Sequence, residues 1–209
     1  MLEPYHVRVA APTTASREDI EAIVRKRAAW IVEQPVAPAG GAPPWPPLFR
    51  GDDVDILVEA TVGRGGVSGP DHGVLTVRVR TGLPAEERDD EAGRLLQGWF
   101  SERAHELVRA AVARWQGRVA GTPGRVLIRN QKTRWASCAA DGTLRFNWRV
   151  AMLPPALLEY IVVHELVHLE VRNHSPAFWA RVGALLPGYA ERRRELRTME
   201  RLLGRHSPR

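Results

Sequence analysis

Apolar and polar residues alternate singly over residues 5–10, the period of a strand that buries one face. The period then lengthens. Behind the capping signal of Ser16 and Asp19, the residues Ile20, Ile23, Val24, Ala28 and Ile31 recur at helical spacing and predict a helix ending near Gln34. It stops there because residues 35–47 are rich in proline, which lacks an N–H and clashes with the preceding turn, so the stretch reads as an exposed, semi-rigid loop. Strand patterns return over 54–62 and 74–80, separated by a glycine-rich turn at 63–73. After Pro84 an apolar stripe through Leu95, Leu96, Trp99, Phe100, Ala104, Leu107, Val108, Ala111 and Trp115 predicts a long helix to about Arg118. Two more strands are predicted at 125–130 and 144–150, with the turn Ala140-Asp141-Gly142 between them. Pro154-Pro155 opens a helix through His168, Ser175-Pro176 opens another, and a last helix covers roughly 188–203. No segment repeats. The order predicts an α+β fold: a β-rich N-terminal part, 1–82, and a mostly helical second domain, 83–209.

The 209 residues include 44% hydrophobic and 26% charged side chains, the balance of a soluble globular chain. No apolar run approaches the ~18 residues of a membrane helix, and residues 1–20 lack the apolar core of a signal peptide, so a cytoplasmic protein with no membrane association is expected. The net charge of +6 comes almost wholly from arginine, because Lys26 and Lys132 are the only lysines. Those arginines are scattered. The one dense run, Arg192-Arg193-Arg194, stands beside Glu191 and Glu195 in a helical stretch and reads as a solvated face, so at most a weak or indirect nucleic-acid association is expected. The single cysteine, Cys138, excludes an internal disulfide framework and a four-cysteine zinc site, and is expected to be a buried, inert thiol.

The informative chemistry lies in residues 159–179. His164-Glu165-Leu166-Val167-His168 is an HExxH pattern, and two histidines four apart on one helix face can reach one metal ion. Glu165 projects to the side, where a carboxylate can take a proton from the attacking water. Ile161, Val162, Val163, Leu166 and Val167 are apolar, which predicts a buried helix whose histidines face an internal cleft. A third histidine, His174, follows six residues after His168. On an unbroken helix that step would turn it by about 240° net, away from the other two. Asn173, a residue tolerant of left-handed backbone, and the Ser175-Pro176 restart supply a stop, a turn and a new helix with His174 at the corner. Three ligands leave a fourth tetrahedral position open, the arrangement of a catalytic zinc (Zn2+). Glu191 or Glu195 on the following helix is the rival third ligand.

These segments resemble the YgjP-like zinc metallopeptidases, HExxH enzymes of the zincin type related to SprT-like and WLM proteases. The resemblance rests on Arg134-Trp135-Ala136-Ser137-Cys138, Asn147-Trp148-Arg149, Tyr160, the run His164-Glu165-Leu166-Val167-His168-Leu169, Asn173-His174-Ser175 and Phe178-Trp179. Two features depart from the pattern: Ala136 replaces a family glycine, and the N-terminus is short. The resemblance implies a zincin-like catalytic part with a small sheet and an HExxH helix, zinc held by His164, His168 and His174, and Glu165 as the catalytic base. A metzincin fits less well, because Val171 stands where those enzymes carry glycine and no Met-turn is evident, Met199 lying in a helical run.

The function expected from these observations is zinc-dependent hydrolysis of a peptide or protein substrate, with 144–150 as an edge strand for an extended peptide. Arg134, Asn147 and Tyr160 are the candidates for stabilising the oxyanion. Phe178 and Trp179 are read as packing behind the His174 corner. Two other classes share part of the pattern: a nucleic-acid-associated module with a structural or vestigial metal site, and a metal hydrolase acting on something other than peptides.

Overall fold

The computed structural model describes residues 16, 18, 47–131 and 133–203. The chain divides into two compact units, Met1–Ala39 and Gly40–Arg209; of the first, only Ser16 and Glu18 are described. The strand expected at 5–10, nearly all of the helix expected to Gln34, and the proline-rich loop up to residue 46 lie outside the described residues.

The second unit is α+β. A short ladder, β1 (Leu48–Phe49) with β2 (Asp52–Asp53), precedes β3 (Asp55–Thr61), β4 (Gly66–Asp71) and β5 (Val74–Arg80). These last three form a sheet in the order β3-β5-β4, with β3 parallel and β4 antiparallel to β5. The glycine-rich segment at 63–73 was expected to be a turn throughout. Instead Gly66–Asp71 pairs as a strand, and the reversal is confined to His72 and Gly73, both at positive φ, the geometry of a two-residue hairpin. Glycines there permit an irregular edge as readily as a loop, which a composition signal does not separate.

The long helix α1 (Ala85–Trp115) runs on through a 3-10 turn at Gln116–Arg118, as the apolar stripe predicts. It buries Leu96, Phe100, Ala104 and Val108. A second three-stranded sheet follows, with β6 (Val126–Arg129), β7 (Ala136–Cys138) and β8 (Leu144–Asn147) in the order β6-β8-β7. The predicted turn between β7 and β8 is present. Gly142 takes φ +76, and Asp141 accepts from the Thr143 N–H at 3.0 Å and its hydroxyl at 2.9 Å.

This sheet corrects two sequence expectations. Residues 144–150 do not form one strand: pairing ends at Asn147, whose side chain accepts from the Arg149 N–H and caps a 3-10 turn at Trp148–Met152. Nor is this strand an edge, because β8 is bonded on both sides, parallel to β6 and antiparallel to β7. The edge facing the histidine helix is β7, a three-residue strand too short to show alternation.

Three helices complete the unit: α2 (Pro155–Val167), α3 (Pro176–Leu185) and α4 (Tyr189–Leu202). Among the described residues, no helix is long and apolar enough to cross a membrane.

Candidate metal centre and active-site cleft

Helix α2 begins with Pro155 at a position where a missing N–H costs nothing. It is apolar almost all round, with Leu157, Ile161, Val162, Val163, Leu166 and Val167 buried, so it is a core helix. Its charged and imidazole side chains are Glu159, which pairs with Arg114, and a group at its C-terminal end, His164, Glu165 and the capping His168. His164 is half-buried, while Glu165 and His168 are 6% and 9% exposed. The four-residue spacing brings the two imidazole rings to 4.9 Å between centroids.

The chain turns back before His174 without the left-handed residue expected at Asn173; among the described residues only Arg50 and His72 are non-glycines at positive φ. Instead α2 tightens at its end, with the N–H groups of Leu169 and Glu170 bonding three residues back to Leu166 and Val167 at 3.0 Å each. The restart at Pro176 is as expected, although Ser175 makes no side-chain cap bond. The loop is clamped by Glu170, which accepts from Arg181 at 2.8 and 3.1 Å and from the Ala120 N–H at 2.5 Å. Fully buried Phe178 lies 4.9, 4.5 and 4.8 Å from the rings of His164, His168 and His174 and backs all three. Trp179 stacks on His174 at 5.7 Å and on Tyr189 at 5.5 Å. Both aromatics pack behind the corner.

The result is a near-equilateral group of imidazoles whose ligating atoms all lie within 4.8 Å of one another. His164 Nε2 and His174 Nε2 are 2.9 Å apart. Zinc at ~2.0–2.1 Å from each nitrogen in tetrahedral geometry would hold such a pair about 3.3 Å apart, so the donor set fits the ion after a small adjustment. His168 directs Nδ1 to the Val171 carbonyl at 3.1 Å, which leaves Nε2 for a metal. Burial lowers the pKa of His164 to about 3, helped by His168 and His174, and burial also lowers that of His168. Both rings are therefore neutral near pH 7, the state metal ligation requires. The rival ligands are elsewhere: Glu191 and Glu195 are exposed on α4, and Glu191 lies 3.7 Å from Arg194.

Glu165 stands beside this cluster and outside it. Burial pushes its carboxyl up to about 8, opposed by the backbone N–H of Cys138 and by the charge of Arg134. The carboxylate forms one wall of a cleft of about 350 Å³, with the histidines at one side and β7 at the other. Of the three oxyanion candidates, only Arg134 lines the cleft. Asn147 is fully buried and donates to the Gln131 carbonyl while accepting from the Arg149 N–H, so its role is structural. Tyr160 is core, edge-on to His164 at 6.0 Å, with burial raising its hydroxyl to about 12. Cys138 is half-buried with its thiol pushed up, first by burial and then by Glu165, and lies outside the histidine group. Two contributors carried no sequence signal as cleft residues: Arg172, an unremarked loop residue, and the backbone of β7.

No curated protein matches the sequence. Among solved structures, the metallopeptidase zymogen abylysin of Pyrococcus abyssi shares 29% identity over 50% of this chain and 99% of its own, with a TM-score of 0.40. The metallopeptidase zymogen jannalysin of Methanocaldococcus jannaschii shares 23% over 47% and 96%, with a TM-score of 0.37. The family model described as YgjP-like, metallopeptidase domain, matches residues 2–199, nearly the whole sequence, and the chain belongs to the YgjP-like metallopeptidase family.

Proposed function

We propose that the protein is a zinc-dependent peptidase in which His164, His168 and His174 hold the metal and Glu165 is the general base. The observation that carries this reading is the convergence of three imidazoles beside a buried glutamate in an open cleft. All of these residues come from 83–209, which we take as the metallopeptidase domain, with residues 1–82 as its companion. Bound there, zinc supplies Lewis acidity, polarising the scissile carbonyl and bringing the attacking water to a pKa near 7. Glu165 accepts the proton of that water and delivers it to the leaving amine, a transfer suited to a carboxyl raised toward neutrality. Phe178 keeps water from the rear of the histidines.

The substrate lies along β7. The Asn147 N–H bonds the Trp135 carbonyl at 2.7 Å and the Ala139 N–H bonds the Thr143 carbonyl at 2.9 Å. Alternation along an antiparallel ladder then turns the backbone groups of Ser137 toward β8 and those of Ala136 and Cys138 outward. The Cys138 N–H is directed at Glu165, so the Ala136 N–H and carbonyl remain to pair with an extended peptide.

The test is metal content by elemental mass spectrometry on untagged protein, wild type against His174→Ala. About one zinc per chain, largely lost in the variant, is the expected result. Full retention in the variant overturns the three-histidine site, and no zinc in the reconstituted wild type overturns the enzyme reading.

A further inference from the structure

The arginine run of α4 separates into three fates in the fold. Arg194 lies 3.7 Å from Glu191 across one turn, Arg192 is half-buried, and Arg193 lies over the Trp179 ring at 4.6 Å, beside the stack that backs His174. Two further arginines bracket β7. Arg134 is exposed, two residues before the strand, and lines the cleft. Arg172 reaches from the loop between α2 and α3 to the other end, where it donates to the carbonyls of Ala139 and Ala140 at 2.9 and 3.0 Å. Those acceptors are neutral, so they fix the guanidinium and leave its charge facing the cleft. Among the described residues lining this cleft, the one carboxylate is Glu165, sunk in the wall. Converging cations around a concave, partly dry site focus a positive field, which a divalent ion strengthens.

We propose that the cleft selects acidic peptides, with Arg134 and Arg172 at the two ends of β7 as the residues that set the preference. The proposal deepens the peptidase reading and rests on it. From residue 134 to residue 139 the chain spans about 17 Å if extended, so a peptide paired with β7 carries side chains on both sides of its scissile bond past one guanidinium or the other. A peptide fits better than a nucleic acid for two reasons. The Trp179 ring is already stacked by His174 and Tyr189, which leaves no open platform for a base. The outward groups of Ala136 offer a donor and an acceptor together, the pattern of another strand and not of a phosphate.

The experiment uses zinc-loaded Glu165→Gln protein and two short labelled peptides alike in length and apolar content, one flanked by Asp and Glu, the other by Lys. Fluorescence anisotropy is expected to show the acidic peptide bound roughly tenfold tighter at low salt, with the ratio shrinking as salt rises. Arg134→Gln, at an exposed position that does not threaten folding, is expected to cut the ratio about threefold, and Arg134→Lys to restore most of it. Adding Arg172→Gln abolishes the preference. Equal binding of both peptides, or a preference unchanged in Arg134→Gln, overturns the proposal. Wild-type turnover separates the two readings: cleavage of both peptides alike sinks charge selection and leaves the peptidase standing. Selective binding of the acidic peptide with no cleavage does the reverse. A single-stranded oligonucleotide that binds as tightly as the acidic peptide and is lost in the same variants overturns the choice of a peptide.

Discussion

In both three-stranded sheets a central strand runs parallel to one edge and antiparallel to the other: β5 between β3 and β4, β8 between β6 and β7. The antiparallel edges differ. β4 carries Gly66, Gly69 and Pro70, shifts register between Ser68 and Asp71, and is exposed over its last four residues. Proline and a bulge blunt an edge against further pairing. β7 has no such break and is half-buried against α2. Each sheet also has a buried glutamate at its helix. Glu91 on α1 is 7% exposed and accepts from Arg80 of β5 at 3.0 Å, which ties it to the sheet. Glu165 is buried as deeply but accepts from a backbone N–H with Arg134 at longer range, and its carboxyl rises to about 8. Shared topology therefore does not make a site. What sets the second sheet apart is an unblunted edge beside a glutamate whose carboxyl burial raises.

Exchanging the two glutamates for glutamine breaks the comparison most sharply. Glu165→Gln is expected to lower peptide turnover about 10³-fold while zinc stays bound, read by rate and metal content together. Glu91→Gln is expected to leave turnover per folded molecule unchanged and to cost about 1–3 kcal/mol by denaturant unfolding, because it breaks a part-buried ion pair. Equal loss of turnover in both variants removes the distinction.

The edges come next. Ala136→Pro deletes only an outward N–H of β7 and is expected to raise KM roughly tenfold with little change in Tm. Ser137→Pro removes a ladder bond to β8 and destabilises the sheet itself. A normal KM in Ala136→Pro rules out strand pairing through that N–H.

A smaller effect is expected where α4 holds the start of β7, since Trp135 donates Nε1–H to Glu200 at 2.9 Å. Glu200→Ala is expected to cost about 1 kcal/mol, or about 2–4 °C in Tm, with zinc content unchanged. The least effect concerns pH. Hydrogen bonds from Thr143 lower the Asp141 carboxyl below its ordinary value near 3.8. The carboxylate is favoured in the fold, so its contribution is complete above about pH 4 and is lost as pH falls through the lowered value. Asp141→Asn is expected to flatten that part of the acid unfolding curve, and an unchanged curve assigns the turn no share of it.

The gathering of the three histidines was the most legible part of the chain because its logic is local. The four-residue spacing of His164 and His168 needs only helical geometry, and the proline restart before Phe178 is enough to require a corner at His174. Long amphipathic α1 was equally plain, since many turns repeat one stripe. The left-handed Asn173 was wrong in detail because a helix can end by tightening as well as by reversing its backbone, and the choice turns on how the next helix packs. Strand β4 hid among glycines, and β7 is too short for any period to register.

What the sequence determined by itself was therefore the set of elements with strong local periodicity, the three histidines and the acid beside them. Their placement together follows from spacing along one helix and one turn. What only the tertiary structure decided was adjacency between distant segments: that β8 is central and β7 the open edge, that Asn147 and Tyr160 are structural while Arg134 and Arg172 reach the cleft, and that Glu165 is buried deeply enough for its carboxyl to rise. Strand order and desolvation are set by contacts between residues far apart in the chain, and no local pattern records them.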